Sequence, residues 1–223
     1  AITDAFNRLL DRMKVVDASR EEFVANVSHE LKTPLASMKV LADSIRGEND
    51  VPVDTYREFM NDIAEEVDRE NKIITDLLSL VKMDKTAGTL NIESVNINSS
   101  IEQILKRLKP IAERAGVELI YESRREVTAE VDPMKITLAV TNLVENAIKY
   151  NKKDGWVKVT LDADHQFCTI VVSDSGIGIP EESLTKIYDR FYRVDKSHSR
   201  EIGGTGLGLA IARNAILLHR GAI

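Results

Sequence analysis

Two long runs in which apolar residues recur at alternating steps of three and four constrain this chain more than any other feature. That spacing lines one face of a long helix, and no strand can use it. One run occupies Val24, Val27, Leu31, Leu35, Met38, Leu41 and Ile45 and stops near Arg46-Gly47, where glycine supplies a helix end. After Pro52 the other occupies Tyr56, Met60, Ile63, Val67, Glu70, Ile74, Leu77 and Val81, with Glu70 its one polar member. Upstream, Ile2, Phe6, Leu9, Met13 and Val16 repeat the same steps, as in a coiled-coil seam or the end of an ordinary amphipathic helix. Two antiparallel helices are predicted. A hairpin of ~30 residues per arm cannot hide both stripes against itself, so two copies pairing into a four-helix bundle is the economical arrangement.

Past Lys85-Thr86-Ala87-Gly88 the texture changes to short alternating runs, which marks a domain boundary. Strands are predicted over 117–121, 127–131, 156–161 and 168–172, and helices over about 98–115, 133–150 and 205–219. Strands interleaved with helices in this way imply a two-layer α/β sandwich, so the fold class is α+β with more than one domain. The expected divisions are 1–16 as the end of a coiled coil, 17–86 as the helical hairpin, and 89–223 as the α/β domain. With 43% hydrophobic and 30% charged residues the chain has the makings of a packed core. Its formal charge of −6 argues against nucleic-acid binding. One cysteine, Cys168, excludes a disulfide framework and fits a reducing compartment. No apolar stretch approaches the ~18 residues of a membrane span, and no signal peptide is visible. Beginning at Ala1 without Met, the chain is expected to be a cytoplasmic piece of a longer protein.

Three constellations carry chemistry. At about 100° per residue, His29 lies opposite the stripe of Val27, Leu31, Leu35 and Met38, so its imidazole faces water, with Thr33 one turn further along the same face. Pro34 has no N–H for the Glu30 carbonyl and should weaken or bend the helix one turn after the histidine. A surface histidine beside a tolerated kink is the plainer alternative. In the helix over 133–150, Asn142, Asn146, Lys149 and Tyr150 share the face opposite Ile136, Val140, Leu143 and Ala147. Two amide oxygens, the Glu145 carboxylate and an ammonium make a plausible lining for hydrated Mg²⁺ with phosphates, and a solvated polar face is the alternative. The glycines, finally, concentrate in Asp174-Ser175-Gly176-Ile177-Gly178-Ile179-Pro180 and in Gly203-Gly204-Thr205-Gly206-Leu207-Gly208-Leu209. A strand delivers Asp174 to the first loop, where its carboxylate can accept a hydrogen bond from an exocyclic amine. The second loop opens a helix, whose N–H groups can cradle phosphate. Neither loop has dinucleotide-fingerprint or P-loop spacing. Lys186, Arg190, Arg193, Lys196 and Arg200 between them suit a basic lid, or an ordinary charged surface.

In combination these residues resemble the cytoplasmic catalytic core of bacterial two-component sensor histidine kinases. Phe23 to Leu35, containing His29, Glu30 and Pro34, resembles the phosphoacceptor box, and Asn142 to Tyr150 resembles the N box. Asp174 to Gly178 and Gly203 to Leu209 resemble the two glycine boxes, with Tyr188 to Arg193 between them as the F box. All five stand in family order from Phe23 to Leu209.

The resemblance implies a dimerisation and phosphotransfer hairpin followed by an ATP-binding domain of the Bergerat type. It implies His29 as phosphoacceptor, Glu30 as its acid/base partner and Asn146 as a Mg²⁺ ligand, with Glu145 a further candidate. Asp174 would read adenine. Asn142, Lys149, Tyr150, Gly176, Gly178, Ile179, Tyr192, Arg193, Gly204, Thr205, Gly206, Leu207 and Gly208 would complete the nucleotide site. Similar Glu-x-x-Thr segments serve phosphatase activity, which gives Thr33 a role. The implied cofactors are ATP and Mg²⁺, and the implied partners are a second copy and a response-regulator receiver domain. Residues 1–14 resemble the tail of a HAMP-type linker, so membrane contact would come only through upstream segments. Tyr188 replaces the usual Phe, His198 stands where many lids have Arg, and His219-Arg220-Gly221 departs from His-Gly-Gly, with the strand that usually follows absent. An ATPase of the same fold would leave His29, Glu30 and Pro34 idle, and a non-catalytic dimerisation scaffold would leave Asn146 and Asp174 idle.

Overall fold

The computed structural model describes residues 2–46, 52–85, 90–194 and 204–223, and the chain divides into two compact units, Ala1–Ile74 and Thr75–Ile223. Expectations for Gly47, Lys196, His198, Arg200 and Gly203 fall outside the described residues. The first unit holds helix α1 (Ile2–Arg46) and the larger part of α2 (Val53–Lys85), the predicted helical hairpin. α1 is described to Arg46, and Asp17 to Arg20 do not interrupt it. It also continues through the buried Pro34, because the ring removes a single backbone bond while the turns on either side keep theirs.

One chain leaves much of the hairpin's apolar stripe uncovered. Val24 and Leu35 are 56% and 55% exposed, and Tyr56, Met60, Val67 and Ile74 are also exposed. The polar member of the α2 stripe is strained electrostatically. Burial and the neighbouring Glu66 carboxylate push the Glu70 carboxyl above its usual range, against a smaller opposing effect of Arg69. Its Oε2 is buried without a hydrogen-bond partner among the described residues. An acid whose pKa is raised on folding costs nothing below its unfolded value, and its cost grows as pH rises from there through the folded value. Glu70→Leu is therefore expected to stabilise the chain at pH 7 by about 1–3 kcal/mol, the cost of an unsatisfied buried acceptor. Thermal melts should show the gain shrinking as the pH is lowered through the carboxylate range. A gain that grew on acidification would contradict this account.

The second unit begins with the last turns of α2 and carries two sheets. β1 (Glu93–Asn96) pairs antiparallel with β3 (Thr128–Val131). β4 (Gly155–Ala163) lies between β2 (Val117–Ser123), which runs parallel to it, and β5 (Cys168–Asp174), which runs antiparallel. Among the described residues three α-helices accompany them, α3 (Ile97–Ala115), α4 (Pro133–Lys149) and α5 (Gly208–Leu218). Alternate positions of β4, namely Val157, Val159 and Leu161, are fully buried, as a sheet with one packed face requires. They share a core with Ile101, Ile104 and Leu108 of α3 and Val140, Val144 and Ile148 of α4. The fold class expected from the sequence is thus the one observed, with β1 as an additional strand.

Local chemistry sets the helix ends that later frame the site. Asn96 caps α3 by accepting from the Ser99 N–H at 2.9 Å, and Gly116, at φ 66°, closes its other end. Asp132 caps α4 by accepting from the N–H groups of Met134 and Lys135, with Pro133 at the first helical position. Burial alone would raise the Asp132 carboxyl. The Lys135 ammonium and the backbone N–H groups of Lys135 and Asn91 outweigh it and hold the carboxyl below its usual range. His219, just past α5, ties the two helices together. Its Nε2 accepts from the Asp132 N–H at 2.9 Å, so the ring proton sits on Nδ1, 2.7 Å from the Ala215 carbonyl.

Candidate functional site

In the first unit, His29 points to solvent, with 80% of its side chain exposed. The next residue places a carboxylate beside the ring, with Glu30 Oε1 lying 3.7 Å from His29 Nδ1 and the Glu30 side chain 26% exposed. With Nδ1 turned toward the carboxylate, a proton on that nitrogen leaves the Nε2 lone pair facing outward. Thr33, one turn on, donates its hydroxyl proton back to the His29 carbonyl at 3.1 Å. That bond is the ordinary habit of a threonine inside a helix. The hydroxyl's lone pairs stay on the exposed face.

In the second unit, both glycine loops close around one end of α4. The first follows β5 and grips the C-terminal turn. Asp174 Oδ1 accepts from the Gly176 N–H at 2.9 Å, and the Ile177 N–H reaches the Tyr150 carbonyl at 3.1 Å. A Cβ on Gly176 would fall 2.3 Å from that carbonyl, so only glycine fits. Ser175 and Asn151, which the sequence reading did not single out, lock this corner. Ser175 Oγ donates to Asn151 Oδ1 at 3.0 Å, and Asn151 Nδ2 donates to the Trp156 carbonyl at 2.9 Å. Asp174 itself is exposed at the strand end, and Gly178 and Ile179 are exposed beyond it.

The second loop lies along the polar face of α4. A Cβ on Gly204 would sit 3.1 Å from both Lys149 Nζ and Tyr150 Oη, and one on Gly208 would sit 2.7 Å from Asn142 Oδ1. The loop therefore spans the face from Asn142 to Tyr150. Asn142 is 7% exposed, and its amide donates to the Leu138 carbonyl at 2.9 Å, which leaves it packed beneath the first turn of α5. Asn146 is half-buried on the same helix and makes no side-chain hydrogen bond among the described residues. Lys149 Nζ stands 5.7 Å from the Tyr150 ring centroid. No group of three or more His, Cys, Asp or Glu side chains able to hold a metal occurs among the described residues.

The aromatic segment between the loops is stapled to the second one. Phe191 takes φ 65°, rare for a bulky residue, and its N–H donates to the Gly206 carbonyl at 2.9 Å. Gly206, at φ 69°, approaches so closely that a Cβ would lie 2.8 Å from the Phe191 backbone. Tyr192 donates through Oη to the buried Ser183 Oγ at 3.0 Å, and Arg193 is half-buried beside it in sequence. The Arg213 guanidinium lies 5.4 Å from the centroid of Tyr188, the aromatic standing in for Phe. Thr205 is 7% exposed and donates through Oγ1 to Asp76 Oδ2 at 2.9 Å, a partner the sequence reading did not identify.

Two family models match the chain. Residues 19–86 match the His Kinase A (phospho-acceptor) domain, and residues 131–223 match the Histidine kinase-, DNA gyrase B-, and HSP90-like ATPase. The sensor protein kinase WalK of Staphylococcus saprophyticus is 39% identical over 211 residues, covering 93% of this chain and 34% of the relative. The chain thus spans about a third of that curated relative's length. Among solved structures, a mycobacterial sensor histidine kinase, MprB, is 30% identical with a TM-score of 0.51, covering 59% of this chain and 82% of its own. The histidine kinase ThkA, solved in complex with the response regulator protein TrrA, shares the fold at 23% identity. Its TM-score is 0.73, with 95% of this chain and 57% of that one covered. An exposed histidine beside a carboxylate, an ATPase-type domain with two glycine loops on one helix end, and these matches lead to one assignment: the chain belongs to the sensor histidine kinase family and spans its phosphoacceptor and ATP-binding domains.

Proposed function

We propose that the chain binds ATP with Mg²⁺ on the surface framed by α4 and the two glycine loops, transfers the γ-phosphoryl group to His29, and passes it to an aspartate of a response-regulator receiver domain. The observation that carries this reading is the pairing of a solvent-exposed His29 with the Glu30 carboxylate, 3.7 Å from its Nδ1. The Nε2 lone pair attacks the γ-phosphorus, the bond to the bridging oxygen breaks, and ADP leaves. Glu30 takes the Nδ1 proton as the ring acquires charge. At 3.7 Å the carboxylate is one small side-chain adjustment from hydrogen-bond reach, as is common before substrate binds.

The residues fit a Mg²⁺–nucleotide complex. Asn146 offers an amide oxygen with no protein partner among the described residues, Glu145 is its neighbour, and oxygen donors of this kind suit a hard cation that takes its other ligands from phosphates and water. The ion supplies neutralisation of phosphate charge. Asp174 at its strand end is the adenine reader, and the N–H groups at the start of α5 receive phosphate. The uncovered hairpin stripe supports a homodimer through a four-helix bundle. No helix among the described residues is long and apolar enough to cross a membrane. Anchoring, as a cytoplasmic part of a membrane sensor, would come from segments outside this chain. The complex of ThkA with a response regulator supports the receiver-domain partner.

Incubation with γ-labelled ATP and Mg²⁺ tests the proposal. Label retained on the chain in acid-labile, base-stable form is expected. Release of inorganic phosphate without retained label would favour an ATPase, and no nucleotide turnover would favour a scaffold.

A role for Thr33 in dephosphorylating the regulator makes a separate prediction. Thr33→Ala should keep autophosphorylation within about tenfold while regulator dephosphorylation falls much further. If the hydroxyl serves only its bond to the His29 carbonyl, both rates fall together or neither falls.

A further inference from the structure

We infer that Asp76, near the end of α2, is a positioning residue that sets the second glycine loop for nucleotide, acting through Thr205. The inference rests on the ATP-binding reading above and adds to it a link between that loop and α2. A hydroxyl has one proton to give, and Thr205 gives it to Asp76 Oδ2 at 2.9 Å, while its Oγ1 accepts the Leu207 N–H at 3.2 Å. Both residues are 7% exposed and Leu207 is fully buried, so this hydroxyl faces the interior and is committed there. Its contribution to nucleotide binding is to shape the loop, and the phosphate-facing donors are backbone N–H groups further along.

Among its described residues the loop is held at several points. Gly206 is held by Phe191, Gly208 rests on Asn142, and Thr205 is held by Asp76. The first two anchors belong to the α/β domain itself. The third belongs to the helix whose other end forms the hairpin. Both members of the Asp76–Thr205 pair lie in the second compact unit, 129 positions apart in sequence. A buried hydroxyl bound to a carboxylate is a charge-assisted contact that holds its partner in one place and is costly to leave half-made. A small rotation or slide of the end of α2 therefore moves the loop, and an ordered loop in turn favours one setting of α2. Such coupling is reciprocal by thermodynamic necessity.

Equilibrium binding of the fluorescent analogue TNP-ATP with Mg²⁺ to the whole chain, with a thermal melt of each sample, tests this. Thr205→Val and Asp76→Ala are each expected to raise Kd by roughly tenfold, the factor that one charge-assisted hydrogen bond is worth at the low end of its range. The double variant should be no weaker than the weaker single. Thr205→Ser, which keeps the hydroxyl, should bind within about twofold of wild type. Asp76→Asn keeps the volume and an acceptor oxygen, guards against misfolding, and should fall between wild type and Asp76→Ala. A purely structural bond would lower the melting temperature and leave Kd of the folded protein unchanged, and that result overturns the inference. Losses that multiply in the double variant overturn it too. Wild-type protein that fails to bind the analogue overturns the ATP reading, and the inference with it, whereas wild-type binding with unaffected variants overturns the inference alone.

Discussion

His29→Gln is expected to reduce phosphoryl labelling of the chain to background while nucleotide binding stays within about twofold of wild type. Glutamine keeps a polar side chain of similar length at a site that is 80% exposed, so the change should cost no more than about 0.5 kcal/mol of stability. What it removes is the nitrogen lone pair that takes the phosphoryl group, and the neighbouring Glu30 cannot replace it in the stable form measured. Nucleotide binding survives because every residue assigned to it lies within Thr75–Ile223, whereas His29 lies within Ala1–Ile74. Binding should be followed with a fluorescent ATP analogue and labelling by autoradiography on the same preparation. Full labelling of the variant would mean that another residue accepts the phosphate.

Asn146→Asp should lower Mg²⁺-dependent autophosphorylation more than about 100-fold without unfolding the protein. The substitution is nearly isosteric, and aspartate inside a helix costs only about 0.5 kcal/mol. The chemical change is larger. A neutral amide with two donors becomes an anion beside a polyphosphate, and two like charges at ~4 Å repel by about 4 kcal/mol at an effective dielectric constant near 20. Asn146 has no side-chain partner among the described residues that the change would disturb, so a thermal melt close to wild type is part of the expectation. Unimpaired autophosphorylation with Mg²⁺ would remove Asn146 from the metal site.

How far the sequence could be read depended on the range of the interaction involved. Long-period patterns were legible, because a heptad stripe needs only its own residues. The two helices of the hairpin and the exposed side of His29 both follow from such patterns. β1 was not legible, since Glu93–Asn96 is four residues of mixed polarity held by pairing with the equally short β3. The same limit applies inside the site. Helical periodicity put Asn142 and Asn146 on one polar face, but only packing shows that the Asn142 amide is spent on Leu138 and lies under Gly208 while that of Asn146 makes no such bond. Asp76 sits one position before Leu77 of the apolar stripe, and its partner is 129 residues away. His219 was noticed for its motif, but its bond to the Asp132 N–H, which fixes its tautomer, spans 87 positions.

Mapping the phosphorylated residue tests the central claim most directly. The chain should be incubated with ATP and Mg²⁺, digested at alkaline pH to preserve a nitrogen–phosphorus bond, and its peptides sequenced by mass spectrometry. The account predicts one phosphorylated peptide, carrying its phosphate on His29 and losing it on brief acid treatment. Phosphate on serine, threonine or aspartate, or a chain that consumes ATP with no phosphopeptide at all, would contradict it.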